Sequence, residues 1–178
     1  MHNTNLWSPW RYEYLRKLKT RAEEFAQEDS ECSNFLIDYW NSPQDDERNM
    51  VVFRNNCGII LLNRYPYANG HLLVALSDPK PTLLEYSAEQ LAAFWNLVEH
   101  AVRIMQTKLQ PQGVNIGINE GDAAGAGLPQ HIHAHVVPRW RGDTNFMASV
   151  GNTRVVPASL EEMWLLFTEI NEQTTPVG

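Results

Sequence analysis

The chain reads as a mixed α and β protein, with two groups of short strands divided by one long amphipathic helix and a helix at either end. Three observations predict this. Residues 50–76 contain three short apolar runs rich in Val, Ile and Leu, separated by turn residues. Residues 87–109 carry apolar side chains at helical spacing over about five turns. The stretches 113–119 and 131–137 alternate with a period of two, the period of a strand.

The 178 residues read as one domain, long enough to bury a substantial core. Fourteen basic residues against twenty-one acidic ones give a formal charge of −7. That balance argues against nucleic-acid or anionic-membrane partners, which require a basic footprint, while leaving room for a small anion in a locally positive pocket. No N-terminal run resembles a signal peptide, and no apolar stretch approaches the length of a membrane span. Two cysteines, Cys32 and Cys57, are too few for a disulfide framework, so a reducing, cytoplasmic setting is expected.

Taken in order, Ser8 caps and Pro9 opens a helix whose apolar positions are Tyr14, Leu15, Leu18, Ala22 and Phe25, ending near Gln27. An acidic stretch follows to Arg48. Its apolar knot, Phe35 to Trp40, is read as an ordered loop or one helical turn. Met50–Arg54 and Gly58–Leu62 form a hairpin about Asn55-Asn56. Beyond the loop Asn63–Gly70, the apolar run His71–Leu76 predicts a strand buried on both faces. Ser87 with Gln90 is a capping box. The long helix then presents Leu91, Phe94, Trp95, Val98, Ala101, Val102, Met105 and Leu109 on one stripe until Pro111 stops it. His100 lies beside that stripe and is read as a core-edge or surface residue. A fourth strand alternates Val114, Ile116 and Ile118, and a last helix capped by Ser159 places Leu160, Met163, Trp164, Phe167 and Ile170 inward.

Half of the six histidines fall within Gln130–Trp140, at His131, His133 and His135, with Ile132, Ala134, Val136 and Val137 between and beyond them. The period predicts three imidazoles on one exposed strand face and aliphatics packed below. The preceding segment, Glu120–Pro129, holds three glycines and three alanines in ten residues. Such a loop leaves amides unshielded and permits the positive φ angles that aim successive N–H groups at one anion. Three chemistries compete for the histidines. Metal ligation suits neighbouring rings, whose Cα atoms stand roughly 6.6–7 Å apart, but the outer pair is roughly twice that distance apart. An imidazole can instead attack phosphorus and carry a nucleotidyl or phosphoryl group, with flanking rings orienting it and moving protons. The third possibility is purely structural, three histidines on a wet sheet face.

The run His131-Ile132-His133-Ala134-His135-Val136-Val137 resembles the signature of the histidine triad (HIT) nucleotide-binding proteins. Leu62–Pro66, Asn69–Val74 and Asn119-Glu120-Gly121 extend the likeness over residues 50 to 147. Leu6–Arg11 and Val137–Phe146 resemble the diadenosine tetraphosphate phosphorylase-like branch. The resemblance implies an α+β fold: an antiparallel sheet of about five strands, a long core helix, and a homodimer joined around that helix. It implies that His133 is the nucleophile on the α-phosphate of a nucleoside polyphosphate and that His131 and His135 orient it and contact phosphate and leaving group. His71 corresponds to an accessory histidine, Asn63 to a residue near the ribose and Asn119 to a phosphate contact. Ala126, Gly127 and Leu128 fall in the phosphate loop, and Trp140 matches a pocket tryptophan. Many relatives bind a structural zinc through Cys-x-x-Cys. Here Cys32-Ser33-Asn34-Phe35 keeps one cysteine only, so neither a structural zinc nor any cofactor is expected. A hydroxyl residue common in phosphorylase-type loops is replaced by Gly127, and the loss of that donor makes transfer to water more expected than phosphorolysis. A non-catalytic nucleotide-binding protein is the alternative.

Overall fold

The structure, a computed structural model, describes residues 34–143 and 158–169. The helix expected at Ser8–Gln27, the Asn145-Phe146 match and the C-terminal tail lie outside the described residues. The acidic segment contains a real helix, α1 (Phe35–Trp40). Asn34 caps it, accepting from the amide of Ile37 at 3.4 Å. Its C-terminal carbonyls are held by Arg54, whose guanidinium donates to Trp40 O at 2.8 Å and Tyr39 O at 3.1 Å. A cation at this end also complements the helix dipole.

Five strands form one sheet: β1 (Val51–Arg54), β2 (Gly58–Leu62), β3 (Leu72–Leu76), β4 (Gly113–Ile118) and β5 (His133–Arg139). Their order is β1-β2-β3-β5-β4, and every neighbouring pair is antiparallel. The β1–β2 turn is closed by Asn55, whose Oδ1 accepts from the amides of Cys57 at 2.8 Å and Gly58 at 3.1 Å. After the long helix the chain lays β4 at the sheet edge, then returns β5 to its interior against β3. As an edge strand β4 is half wet: Val114 and Ile118 pack on the core, but Ile116 is 46% exposed.

The long helix, α2 (Ala88–Leu109), begins with the expected capping box. Ser87 Oγ accepts from the Gln90 amide at 3.2 Å and Gln90 Oε1 from the Ser87 amide at 3.0 Å. It ends where Gln110 turns left-handed, φ 47°, ahead of Pro111. Its fully buried face is Phe94, Leu97, Val98, Ala101 and Met105. The expected stripe is therefore rotated slightly. Leu97 lies inside, while Trp95 is 49% exposed and packs edge-on to Phe94. A last helix, α3 (Leu160–Thr168), starts in a second capping box at Ser159 and buries Met163 and Phe167.

The sheet has two apolar faces. Ile60, Leu62, Leu72, Val74, Leu76, Ala134 and Val136, with Ile132 just ahead of β5, pack against α2 and α3. Ile59, Leu61, Leu73 and Ala75 pack on the other side with Leu36 of α1 and Leu128 of the glycine-rich loop. β3 is buried on both faces, as its sequence requires. His133 and His135 stand opposite Ala75 and Leu73 in the register, which places them on the α1 side of the sheet.

Candidate active site

Antiparallel pairing of β5 with β3 brings the histidine strand beside the start of β3, where His71 precedes the first paired residue. Four histidines gather there. The ring centroids of His133 and His135 are 5.2 Å apart, and those of His71 and His135 5.1 Å. The expectation of an exposed face with three equivalent rings fails on two counts. First, the cluster is buried: His71 is 0%, His131 1% and His133 6% exposed, because α1 and Leu128 cover this side of the sheet. Burial on this scale also removes the reading of a wet, purely structural surface. Second, β5 starts at His133, so His131 is off the ladder. Its amide donates to Leu128 O at 3.2 Å and the next amide, Ile132, to Lys80 O at 2.8 Å.

Hydrogen bonds decide the tautomers. Nδ1 of His133 lies 2.9 Å from the carbonyl of His131. A carbonyl only accepts, so Nδ1 carries the proton and Nε2 keeps an unshared electron pair. His71 is read the same way. The Tyr67 amide donates to its Nδ1 at 3.1 Å, and Asn63 Nδ2 does so at 3.3 Å. Its proton is thus on Nε2, which donates to Nδ1 of His135 at 3.0 Å. His135 is left with its proton on Nε2. His131 donates from Nε2 to Leu76 O at 2.9 Å, and its Nδ1 lies 3.2 Å from Oδ1 of Asn34, the oxygen that also accepts from the Ile37 amide. The cluster contains one imidazole nitrogen with a free electron pair, on His133, beside one that carries a proton, on His135.

Burial sets the charge state. It pushes the pKa of His131 down from 6.5 to about 4, against a smaller opposing pull from the Leu76 carbonyl that accepts its proton. Burial lowers His133 as well, again opposed by its bond to the His131 carbonyl. Both rings are therefore neutral near pH 7, the state in which an imidazole is a nucleophile.

The glycine-rich loop adopts the positive φ angles expected of it, 81° at Gly121 and 86° at Gly125. Glu120 pins its entry, accepting from Thr82 Oγ at 2.7 Å and the Leu83 amide at 3.1 Å. Three of its amides are spent internally: Ala124 and Ala126 donate to Gly121 O, and Gly125 to Asp122 O. The amides of Gly127 and Leu128 have no described partner, and the buried Leu128 side chain fastens that end of the loop to the core. Asn119 follows β4 directly and is half-buried. Asn63 touches His71 rather than standing alone. Trp140 is not brought to the cluster by any described contact. It lies five residues beyond His135, roughly 16 Å along an extended strand.

Tyr67 and Asn34 have no place in the sequence reading of the site. Tyr67 stacks on His71 and His135, with centroids 4.7 Å and 5.8 Å away. A tyrosine in a Pro/Asn/Gly loop carries no signal of its own, and Asn34 is 97 residues from the histidine it meets. Among the described residues no group of three His, Cys, Asp or Glu side chains is placed to hold a metal ion. The residues present also fit a structural zinc poorly. Phe35 stands where relatives have their second cysteine, and the ring nitrogens of His131 face Asn34 and Leu76.

Comparison with known proteins agrees with this geometry. The HIT domain matches residues 44–142. An AP-4-A phosphorylase of Mycobacterium tuberculosis is 32% identical over 158 residues, 88% of this chain and 78% of that protein. The bis(5'-nucleosyl)-tetraphosphatase (asymmetrical) of Schizosaccharomyces pombe is 28% identical over 93 residues, 52% of this chain and 50% of that one. Among solved structures, a Zn-bound histidine triad family protein from Mycobacterium smegmatis aligns with a TM-score of 0.57 at 29% identity, covering 67% of this chain and 81% of that one. With its antiparallel five-stranded sheet, its histidine cluster and a match over more than half its length, this chain belongs to the HIT domain family.

Proposed function

We propose that this chain is a nucleotidyl transferase or hydrolase that cleaves a nucleoside polyphosphate such as diadenosine tetraphosphate through a nucleotidyl-His133 intermediate. One observation carries the reading: His133 is locked with its proton on Nδ1, so Nε2 is a ready nucleophile, and His135 is locked with a proton on Nε2. Nε2 of His133 forms a bond to the α-phosphorus as the P–O bond to the leaving polyphosphate breaks. The leaving polyphosphate departs as an anion, its oxygen accepting a hydrogen bond from the Nε2–H of His135. Water or inorganic phosphate then attacks the same phosphorus, the N–P bond breaks to release neutral His133, and the proton of the attacking group passes to solvent. The free amides of Gly127 and Leu128, with the side-chain amide of Asn119, suit the spreading negative charge of the transition state, while Ala126, whose own amide donates to Gly121 O, shapes the loop that presents them. Asn63 and Trp140 belong to the nucleoside side of the site in this reading. The names of the relatives, a phosphorylase and a tetraphosphatase, support the substrate class.

A homodimer joined around α2 accompanies this reading, and sedimentation measures it. The half-exposed Trp95 is a side chain such an interface would cover. A reducing, cytoplasmic setting suits the exposed free thiol of Cys57. No helix among the described residues is long and apolar enough to cross a membrane.

The test is His133→Ala. Turnover of diadenosine tetraphosphate should vanish while nucleotide binding persists, and a labelled nucleotidyl-protein should be trapped only from the wild type. Normal turnover by the variant would sink the mechanism. Binding without any wild-type turnover would favour a passive nucleotide-binding protein. ATP with ADP among the products marks phosphate as acceptor, and ATP with AMP marks water.

A further inference from the structure

We propose that Asn34 is a positioning residue for the histidine cluster, clamping the ring of His131 and, through the His131 carbonyl, holding His133 in its nucleophilic tautomer. The inference rests on the reading of His133 as the nucleophile, and it reassigns His131 from a substrate contact to an internal anchor.

The geometry of His131 requires this. The ring is 1% exposed and both of its nitrogens meet protein oxygens, Leu76 O at 2.9 Å and Asn34 Oδ1 at 3.2 Å. No nitrogen is left over for a phosphate. What His131 does offer is its backbone carbonyl, 2.9 Å from Nδ1 of His133. A shift of that carbonyl releases the proton on Nδ1 to redistribute between the two ring nitrogens, and a ring protonated on Nε2 cannot attack phosphorus. His131 lies ahead of the strand ladder, so its carbonyl is placed by the two flanking backbone bonds, to Leu128 O and Lys80 O, together with the two side-chain anchors.

Asn34 is itself rigidly mounted. It is the N-cap of α1, whose far end is gripped by Arg54 and whose Leu36 is buried between the sheet and Leu128. A carboxamide is also the appropriate group. A neutral His131 that donates from Nε2 has a lone pair on Nδ1 and takes an amide N–H, whereas a charged one takes the amide oxygen. As it stands Oδ1 faces the ring and also caps α1 through the Ile37 amide, and a half-turn that presents Nδ2 to a neutral His131 gives up that cap. A carboxylate supplies only an acceptor, and a serine caps a helix equally well but is too short to reach the ring. The other ionisable groups bearing on this ring are Asp78, just beyond β3, and His133 on β5.

Two variants of the full chain separate positioning from capping. Asn34→Ser keeps the cap. It should leave the thermal midpoint nearly unchanged, lower kcat about tenfold with KM within about twofold, and mix the His133 tautomers in nitrogen-15 histidine spectra. Asn34→Asp should hold His131 charged at pH 7, visible in the same spectra. Wild-type tautomers at His131 and His133 in Asn34→Ser would overturn the proposal, as would a neutral His131 in Asn34→Asp. The spectra need no substrate. A failure of the nucleotidyl-transfer reading therefore shows up separately, as absent turnover in the wild type with the tautomer response to Asn34 intact.

Discussion

Lowering the pH from 7 to 4 should remove about 3 kcal/mol of folding stability through His131 alone. In the unfolded chain this imidazole protonates near 6.5, but in the folded protein burial holds it neutral until about 4. A folded pKa below the unfolded one means that the contribution is whole above about pH 6.5. It is lost progressively as the pH falls toward 4, since the unfolded state takes up the proton first. The gap between 6.5 and about 4, at about 1.4 kcal/mol per pH unit, gives the magnitude. Against a total stability of roughly 5–15 kcal/mol that is a large fraction. His133, also lowered by burial, acts in the same direction. Urea unfolding of the wild type and of His131→Gln at pH 7, 6, 5 and 4 measures the effect. The variant should start less stable but lose about 3 kcal/mol less across that range. Equal pH slopes would refute the reasoning, and so would a His131 Cε1 proton that titrates near 6.5 in the folded state.

Two further substitutions probe the frame and the cluster. Gly58→Ala would place a Cβ 2.1 Å from the Ala75 carbonyl oxygen and 2.9 Å from Leu76 Cα, both backbone atoms of the paired strand. We expect a loss of about 3 kcal/mol or more in the urea midpoint free energy, and a loss under about 0.5 kcal/mol would contradict the strand spacing. His71→Phe keeps the bulk but strips partners from His135 Nδ1, the Tyr67 amide and Asn63. Buried polar groups left unpaired cost about 1–3 kcal/mol each, so the midpoint should fall measurably. Turnover should drop at least about tenfold as His135 loses its fixed tautomer, and full activity in a stable variant would remove His71 from the relay.

Much of this architecture is legible residue by residue. Val114 to Ile118 and His133 to Val137 announce strands through their period, Ser87 with Gln90 and Ser159 with Glu162 announce helix starts, and Pro111 announces a stop. The resemblance of residues 131–137 points to the strand on which the histidines cluster. The misreadings have physical causes. Trp95 and Leu97 sit at opposite edges of the apolar arc of α2, and which edge meets the sheet depends on the angle of packing, not on the helical period. Phe35–Trp40 is too short to show a helical period, and its helix depends on a cap at Asn34 and on Arg54 from another element.

The identity of the candidate residues and the secondary structure around them are local matters, written in side-chain type and spacing, because hydrogen-bonding chemistry and strand or helix period act over a few residues. The state of those residues is not local. His131 leaves the strand, three of the four clustered histidines are buried, and the rings of His131 and His135 are held by partners from elsewhere in the chain, Leu76 and Asn34 for the first and His71 for the second. Burial and hydrogen-bond direction depend on which surfaces the sheet order β1-β2-β3-β5-β4 brings together. Only the folded chain could therefore settle which ring nitrogen of His133 keeps its electron pair and why that ring is neutral.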